Sequence, residues 1–335
     1  MLLQKTMLLL YFTGLLFSIP YDGNIIAESY SYLMKQNEEI GEATPEIEEA
    51  VHWMNQTDED LIRTFGEPDR KDLSAYGYEW WVYTNHENYV YQFGVMDNRI
   101  ETIYVIGDDQ ERASYEMLHE KYTFVAEVPY EQGESYYTFR LTQEDLERRP
   151  LAKADHDTFI QFYMDTFTDN LFAYRIISGN TLLTQRPYEI EYVGTLPEQP
   201  NLSEKDWAKV EEGMEQQIFD VTNVIRSQHE RSPLKHDSNA QRTAYAHSKD
   251  MSKNNYFSHT SLNGDRLKER LEAEEVLYMH AAENIAAGYI DALSSMEGWL
   301  NSKSHRKTLL NSNYTHLGVG VYRFYYTQNF LHKPS

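Results

Sequence analysis

Three short segments near the C-terminus carry most of the structural information in this chain: Tyr256-Phe257-Ser258-His259-Thr260-Ser261, Glu283-Asn284-Ile285-Ala286 and Gly298-Trp299-Leu300-Asn301-Ser302-Lys303-Ser304-His305-Arg306. They bring two imidazoles, His259 and His305, and the carboxylate of Glu283 into one short part of the sequence. Each of these polar groups stands near apolar or aromatic residues, which pack in the interior of folded proteins. The segments therefore indicate a packed C-terminal domain that holds a cluster of titratable side chains.

Length and charge predict two domains. The chain has 335 residues, which is more than one ordinary core holds. Residues 1–222 contain 16 Lys and Arg against 42 Asp and Glu, a balance of −26, and residues 223–335 contain 14 against 11, a balance of +3, so the net charge is −23. This asymmetry indicates two modules with different surfaces. The acidic surface argues against nucleic acid as a partner, because phosphates would be repelled.

The sequence contains none of the standard catalytic motifs that were considered. The chain contains no cysteine, which excludes disulfide scaffolds, thiolate zinc sites and cysteine nucleophiles. The His-Glu-x-x-His, Gly-x-Ser-x-Gly, phosphate-loop and dinucleotide-binding patterns are absent from the sequence. The sequence therefore favours a non-enzymatic protein, although an enzyme without a standard motif stays open.

An apolar run at the N-terminus indicates export. Residues 7–19 are apolar or small, follow Lys5 and end at Pro20. The run is shorter than the about 20 residues that a membrane-spanning helix needs, and it fits the central region of a signal peptide. Residues 1–27 are therefore predicted to be a signal peptide or a short membrane anchor, which would place the protein outside the cell or at the outer face of the membrane. A buried N-terminal helix is the alternative.

The first half of the chain is predicted to contain a linker and a β-rich domain. Residues 28–56 are acidic and polar and are typical of a linker or of a solvated helix. Residues 57–197 are predicted to form a β-rich α+β domain, because the stretches 76–107 and 158–193 each contain a strand, a polar turn and a second strand. The repeated order indicates an internal duplication of one hairpin. The alternative is coincidence, since Asn and Asp are the usual turn residues in any hairpin.

The second half is predicted to form helices that cover a small sheet, within residues 203–332. Ser203 begins a pattern that resembles a capping box, and apolar residues then recur at spacings of three and four as far as Gln228. The chain ends with two segments, 316–324 and 325–331, that are typical of strands. Together these features predict an α+β fold for the whole chain.

A second helix is predicted after Asp237, which is a good helix cap. One face of this helix is lined by the small residues Ala240, Ala244 and Ser248, followed by Met251. Small side chains on one helix face imply that another element approaches this helix closely.

Four side chains form the candidate site: His259, Glu283, Glu297 and His305. Two His and two Glu can bind a divalent metal such as Zn²⁺, Mg²⁺ or Ca²⁺, act as acid and base, or form a structural hydrogen-bond network. Three of them also have a simpler interpretation. His259 could be a histidine that supports a loop by hydrogen bonds, Glu283 a helix cap and Glu297 an exposed helical residue.

The C-terminal segments resemble the bacterial branch of the CAP superfamily, which contains cysteine-rich secretory proteins, antigen 5 and plant pathogenesis-related 1 proteins. Seven short sequence motifs in the same order carry the resemblance: residues 247–251, 256–261, 283–286, 298–306, 309–311, 318–321 and 326–330. The resemblance implies an α-β-α sandwich with a central cavity. Residues 65–70 and 76–83 are similar to a CAP-associated domain found N-terminal to some bacterial CAP modules.

The resemblance also implies a set of site residues. In the animal and plant branch, a tetrad of two His and two Glu can hold a divalent metal, and His259 and Glu283 match its first His and first Glu. Glu297 corresponds to its second Glu. Tyr325 stands where that branch has its second His, so the resemblance leaves metal binding open and suggests His305 as the replacement imidazole.

Three functional hypotheses fit these observations. The first is an exported, non-enzymatic protein that binds a small apolar or wall-derived ligand, or a partner protein, through a cleft lined by His and Glu. The second is a metal-dependent hydrolase at the cell envelope, with the same four residues as ligands or acid–base groups. The third is a wall or spore-coat assembly protein that docks through its acidic N-terminal domain. Apart from a divalent metal, the sequence indicates no cofactor.

Overall fold

A computed structural model of the protein describes residues 47–85, 89–107 and 113–334. The predicted signal peptide or anchor and the first part of the predicted linker lie outside the described residues. Within the described ranges, no helix combines the length and the apolar character needed to span a bilayer. The helices and strands group into an N-terminal and a C-terminal domain, each of mixed structure, so the predicted α+β class is confirmed.

A large antiparallel sheet forms the centre of the N-terminal domain. Its strands are β1 (Arg70–Leu73), β2 (Glu79–Asn85), β3 (Tyr89–Met96), β4 (Arg99–Gly107), β7 (Leu151–Lys153), β8 (Thr158–Asp165) and β9 (Asn170–Ser178), in the order β1-β2-β3-β4-β9-β8-β7. A smaller sheet contains β5 (Glu127–Gln132), β6 (Ser135–Arg140) and β10 (Glu189–Val193), with β6 in the middle. The helices of this domain are α1 (Ile47–Val51), α2 (Asp58–Phe65), α3 (Tyr115–Tyr122), α4 (Gln143–Arg148) and α5 (Gly179–Gln185).

The structure shows a helix in residues 47–56, but the stretch is packed into the N-terminal domain, so it is neither a linker nor a solvated helix. The helix α1 lies in this stretch, and the side chains of Trp53 and Met54 are buried in the core beneath the large sheet. The Trp53 ring packs edge-on against Phe93 of β3, with ring centroids 6.2 Å apart. The folded domain therefore begins earlier than the charge pattern indicates, because two large apolar side chains anchor an otherwise acidic segment.

The two hairpins of the large sheet occupy equivalent positions. The hairpin β3–β4 and the hairpin β8–β9 pair with each other through β4 and β9, and each has one register shift between its strands. In both cases the N-cap residue of a helix forms an isolated bridge with the first residue of the second strand: Thr57 with Arg99, and Ser114 with Asn170. This correspondence supports an internal duplication over a chance repetition of turn residues.

The C-terminal domain is built around a four-stranded sheet. Its strands are β11 (Lys235–His236), β12 (His280–Ala287), β13 (His316–Tyr322) and β14 (Tyr325–His332), in the order β11-β13-β14-β12, and only the β11–β13 pair is parallel. Its helices are α6 (Glu204–Gln228), α7 (Ser238–Lys253), α8 (Leu267–Ala273), α9 (Ala292–Leu300) and α10 (Lys303–Leu309).

Helices cover both faces of this sheet, so the predicted α-β-α sandwich is confirmed. On one face, Phe330 of β14 packs in a core with α6 and α9. On the other face, the hydroxyl of Thr327 lies 2.8 Å from that of Ser248 on α7. The predicted close approach of α7 is also confirmed, because a Cβ atom at Gly320 would lie only 1.9 Å from the backbone nitrogen of Tyr245.

The two domains share a core, because one face of the large sheet packs against α6 and α9. At the centre of this interface the guanidinium of Arg175 lies 5.7–5.9 Å from the ring centroids of Trp80, Tyr104 and Tyr163. Its Nη2 donates to Asp291 Oδ2 at 2.6 Å, and the two side chains are 0% and 5% exposed. A specific buried ion pair therefore fixes how the domains sit together.

Two glutamates of α6 accept hydrogen bonds from the end of β13, beyond its short partner β11, and from the turn that follows it. The backbone N–H of Val321 donates to Glu215, and that of Arg323 donates to Glu211, both at 3.0 Å. Glu215 is 7% exposed. Burial raises its pKa to about 7, against the opposing effect of hydrogen bonds from Val321 and Gln241. These carboxylates cover backbone donors that would otherwise offer an open sheet edge.

Replacing Glu215 with glutamine should stabilise the protein at alkaline pH. Because the folded pKa of about 7 lies above the reference value of 4.5, the contribution of Glu215 to stability is fully present below the lower value and is lost as pH rises through the higher one. Glutamine stays neutral, so the gain should approach about 3 kcal/mol at alkaline pH and vanish in acid. Urea unfolding in acid and in alkali measures the difference, and an equal difference at both would contradict the expectation.

Candidate functional site

His259 and Glu283 meet at the edge of the C-terminal sheet. His259 lies in the loop between α7 and α8, and Glu283 lies on the edge strand β12. The His259 Nδ1 atom is 2.9 Å from Glu283 Oε1. The Glu283 side chain is 3% exposed, whereas the imidazole of His259 is 57% exposed. A buried carboxylate therefore orients an imidazole that opens to solvent, in contrast to the enclosed cavity that the resemblance implied.

Arg270 of α8 completes this pair. Its Nη2 donates to Glu283 Oε2 at 2.6 Å, and its Nη1 donates to the backbone carbonyl of His259 at 3.0 Å. A buried carboxylate is costly unless it is paired, and both oxygens of Glu283 have partners here. Arg270 therefore neutralises Glu283 and also holds the loop that carries His259.

The same loop is held from α7 by His247, which is buried. The Nε2 atom of His247 lies 3.0 Å from the backbone carbonyl oxygen of Ser258, and its Nδ1 atom lies 3.4 Å from Ser261 Oγ. Burial lowers the pKa of His247, although the charge of Glu283 acts in the opposite direction. A neutral imidazole at this position supports the loop by hydrogen bonds, which is the role that the sequence suggested as an alternative for His259.

His305 lies on α10 and approaches from the other side of β12. Asn284 of β12 donates through Nδ2 to the backbone carbonyl of His305 at 3.2 Å. Burial lowers the pKa of the His305 imidazole, and the charge of His259 lowers it further. His259 bonds to Glu283, and the carbonyl of His305 bonds to the next residue of β12, Asn284, so the structure brings His259, Glu283 and His305 into one region.

Glu297 does not join this group, and its prediction as a cleft residue is wrong. Its side chain is buried, and its Oε1 accepts a hydrogen bond from Asn301 Nδ2 at 2.9 Å. The charged groups around its carboxylate are Arg149, Arg148 and Glu144 of the N-terminal domain. The helix α9 turns this position toward the domain interface, which the sequence of one domain alone does not reveal.

Tyr325 also lies apart from the His259–Glu283 pair. It is the first residue of β14 and pairs with Ala287, at the far end of β12 from His280. Four positions along β12 separate Ala287 from Glu283, a displacement of about 13 Å at the usual rise of a strand. Tyr325 therefore stands near the β13–β14 turn rather than beside the imidazoles.

The residues predicted to hold a metal do not fit one. Within the described part of the chain, no three His, Asp or Glu side chains gather as ligands. Both oxygens of Glu283 are engaged, and the guanidinium of Arg270 beside them opposes a bound cation. Glu297 faces the other domain and does not supply His259 and His305 with a second carboxylate. The set does not suit Zn²⁺, Mg²⁺ or Ca²⁺.

Replacing Arg270 with methionine should lower the free energy of unfolding by about 3 kcal/mol, because Glu283 would keep a buried charge without its cationic partner. The change His259→Ala removes the other partner of the same carboxylate, but that imidazole is mostly exposed, so the loss should stay below about 1 kcal/mol. Urea unfolding of the two variants makes the comparison. Equal losses would show that Arg270 contributes no more than the exposed ring.

Sequence reasoning missed Arg270 and His247 as parts of the site. The one available signal is Glu283 itself, because a carboxylate followed by Ile285-Ala286-Ala287 needs a partner. Nothing in the sequence selects Arg270 over the neighbouring basic residues Arg266 and Lys268 as that partner.

An α-β-α sandwich that presents a histidine–glutamate pair at its edge strand defines an SCP-like module, here packed onto a second α+β domain. Residues 54–188 match the family described as CAP-associated N-terminal, and residues 219–331 match the Cysteine-rich secretory protein family, CAP. The chain therefore belongs to the CAP family, and it carries the CAP-associated domain ahead of the CAP domain.

The relatives agree with this assignment. The chain is 40% identical to the "Uncharacterized membrane protein YlbC" of Bacillus subtilis (strain 168) over 287 residues, which are 84% of this chain and 83% of the relative. It is 35% identical to the "Uncharacterized protein YkwD" of the same organism over 121 residues, 36% of this chain and 47% of that protein.

Two solved structures are similar to this chain over most of its length. One is an extracellular protein containing a SCP domain from Bacillus anthracis str. Ames, with a TM-score of 0.80 and 40% identity, covering 84% of this chain and 95% of that one. Another is a cysteine-rich secretory protein from Staphylococcus aureus subsp. aureus Mu50, with a TM-score of 0.73 and 23% identity, covering 84% and 92%. The second shows likeness of fold alone.

Proposed function

We propose that this CAP protein is an exported, non-enzymatic binding protein that takes a cell-wall component as its ligand. The binding site is the imidazole surface, defined here as His259, His305 and the exposed loop residues Phe257 and Leu262. The observation that carries the proposal is the pairing of His259 Nδ1 with the buried Glu283, which fixes an imidazole at the protein surface.

The first support is the state of the His259 ring. Glu283 engages Nδ1, and Nε2 has no hydrogen-bond partner among the residues that the structure describes. A ring held in one orientation by a buried carboxylate presents its second nitrogen to a ligand with little loss of side-chain entropy on binding. His305 adds a second imidazole close by. Imidazole groups can exchange hydrogen bonds with the hydroxyl and amide groups of a wall glycan or peptide.

The second support is the apolar rim beside the ring. Phe257 and Leu262, which flank His259 in the same loop, are 55% and 67% exposed. Large apolar side chains exposed beside a fixed polar group are typical of binding sites. This rim also suits a small apolar ligand or a partner protein, so these two classes are outcomes that the binding experiment has to separate from a wall component.

The third support concerns location. The apolar run at residues 7–19 predicts export or anchoring. One relative is named a membrane protein, and a similar solved structure is named an extracellular protein. We propose the same location for this chain, at the outer face of the membrane or beyond it, where the wall is within reach.

Co-sedimentation with purified bacterial peptidoglycan sacculi tests the proposal. The protein should pellet with the sacculi, and the double variant His259→Ala/His305→Ala should lose most of this binding. The matched control is His280→Ala, which removes an exposed histidine from the same domain outside the imidazole surface. Failure of the unmodified protein to pellet, or unchanged binding by the double variant, would overturn the proposal.

A hydrolase is the second candidate, because a carboxylate that orients an imidazole through Nδ1 is also the arrangement of a general base. This version uses no metal, since the residues do not fit one. Release of soluble fragments from the sacculi, lost in His259→Ala, would favour a hydrolase over simple binding.

The wall or spore-coat assembly hypothesis stays a prediction. Docking would have to use a part of the N-terminal domain other than the sheet face that packs on α6 and α9.

A further inference from the structure

The segment that carries His305 is held by the N-terminal domain at three points. They are Asp291, the N-cap of α9; Asn301, between α9 and α10; and Arg306, on α10. Their partners all belong to the β8–β9 hairpin. The stretch 291–306, which includes the third segment of the sequence motif, is therefore attached to the other domain at its start, near its middle and at its end.

The first two attachments hold α9. Asp291 receives the buried hydrogen bond from Arg175 of β9 described above. Asn301 accepts through Oδ1 from the backbone N–H and the hydroxyl of Thr166, each at 2.8 Å, and donates through Nδ2 to the carbonyl of Met164 at 2.8 Å. The Asn301 side chain thus closes the turn of the β8–β9 hairpin as a backbone strand would.

The third attachment holds α10. Arg306 donates through Nη1 and Nη2 to the two oxygens of Asp165, each at 2.9 Å, so the pair is bidentate. The Asp165 side chain is 0% exposed. Burial acts to raise its pKa, but His229 and the guanidinium of Arg306 hold the pKa at about 2. The pair is therefore ionised at neutral pH, and a planar fork of this kind fixes direction as well as distance.

The helix α10 needs such an attachment. It has seven residues and no side-chain hydrogen bond at its N-cap. A helix this short is not stable by itself in water, so its position comes from tertiary contacts. His305 is the residue directly before Arg306, so any rotation of α10 that Arg306 allows also moves the His305 ring. Its hydrogen bond with Asn284 is made by the backbone carbonyl and does not hold the ring.

We propose that Asp165 of the N-terminal domain is a positioning residue for His305, acting through Arg306, so that the imidazole surface belongs to both domains and not to the CAP domain alone. The inference rests on the proposed function only in taking His305 as a site residue. The geometry can be tested without any ligand.

Nuclear magnetic resonance of the full protein with labelled histidine tests it. In Asp165→Asn, Arg306 loses its ionised partner and α10 loosens. The His305 ring should then become more exposed, and its titration midpoint should rise toward the reference value. The titration midpoint of the buried His247, which lies on α7 and supports the loop, should not change. Asp165→Glu, which keeps the charge, should restore the original midpoint at least in part.

The matched control is Asp220→Asn. Asp220 lies on α6 and accepts from Arg70 of β1 at 2.9 Å, so it is another carboxylate of the same domain interface that does not touch the segment 291–306. Its loss should leave His305 unchanged. An unchanged His305 in Asp165→Asn, or an equal change in Asp220→Asn, would overturn the proposal. If Asp165→Asn does not fold, Arg306→Lys keeps the charge but loses the fork, and the same outcomes decide.

Binding of the same variants to sacculi separates the two proposals. If His305 moves in Asp165→Asn while the unmodified protein does not bind sacculi, the positioning role stands and the proposed function fails. If binding requires His305 but His305 does not respond to Asp165, the proposed function stands and the positioning role fails.

Discussion

Replacing Asp291 with alanine should lower the free energy of unfolding by about 4 kcal/mol, the largest effect expected from a single polar substitution in this protein. The guanidinium of Arg175 would stay buried among Trp80, Tyr104 and Tyr163 with no carboxylate to compensate its charge. Asp291 also caps α9, because its Oδ1 accepts from the backbone N–H of Ser294 at 2.8 Å. Loss of this helix cap accounts for about 1 kcal/mol of the expected destabilisation.

Urea unfolding followed by tryptophan fluorescence measures this loss. Asn at position 291 keeps the cap and removes only the charge, so Asp291→Asn should retain most of the destabilisation. The double change Arg175→Met/Asp291→Asn should recover part of it, because an apolar side chain suits the aromatic surroundings. Arg140→Ala, which breaks exposed ion pairs with Glu127 and Glu191, should leave the midpoint unchanged. A loss at Asp291 no larger than that of Arg140→Ala would contradict the expectation.

Replacing Gly320 with alanine should disrupt the C-terminal domain. The added Cβ would lie 1.9 Å from the backbone nitrogen of Tyr245 and 2.2 Å from the carbonyl carbon of Ala244. Overpacking usually costs about 1–3 kcal/mol, because side chains can rotate away. The colliding atoms here belong to the backbone of α7, so the whole helix must shift from the sheet. The cost should therefore exceed about 3 kcal/mol, with a fall of about 10 °C in the unfolding temperature.

Differential scanning calorimetry checks this prediction, and Gly288→Ala is its control. Gly288 has a positive φ of 79°, and a Cβ there would meet no atom within 4 Å. Alanine at that position pays only for the left-handed backbone, about 1–2 kcal/mol. A similar loss in both variants would show that the contact between α7 and β13 tolerates a methyl group.

Local features of the fold could be predicted from the sequence. Ser203 caps the long helix α6, which ends at Gln228 as the apolar spacing predicts. The small face of α7 lies against Gly320, because a helix can approach a strand closely only where both lack large side chains. The turn residues Asp97 and Asn98 both adopt positive φ, as the hairpin requires. Each of these signals depends on residues that are near in sequence.

The candidate site could be predicted only in part. His259 and Glu283 meet because they belong to one domain and to one known pattern of segments. The role of Arg270 could not be predicted, since the pairing with Glu283 depends on how α8 returns to β12. Glu297 shows the opposite case. Its neighbours Met296 and Trp299 indicate that α9 is buried. The side of α9 that carries Glu297 is covered by the N-terminal domain, and the sequence of the C-terminal domain does not reveal this.

The pairing of β4 with β9 also sets an order for folding. Residues at a hairpin turn such as that between β3 and β4 meet in about 1–10 μs, because little chain lies between them. Thr102 and Ile177 must close a much longer loop before β4 and β9 can pair, and contacts between distant residues slow folding. Arg175 lies on β9, so the buried partner of Asp291 exists only once this step is complete. The second domain should therefore reach its final position late, on a surface that the first has already assembled.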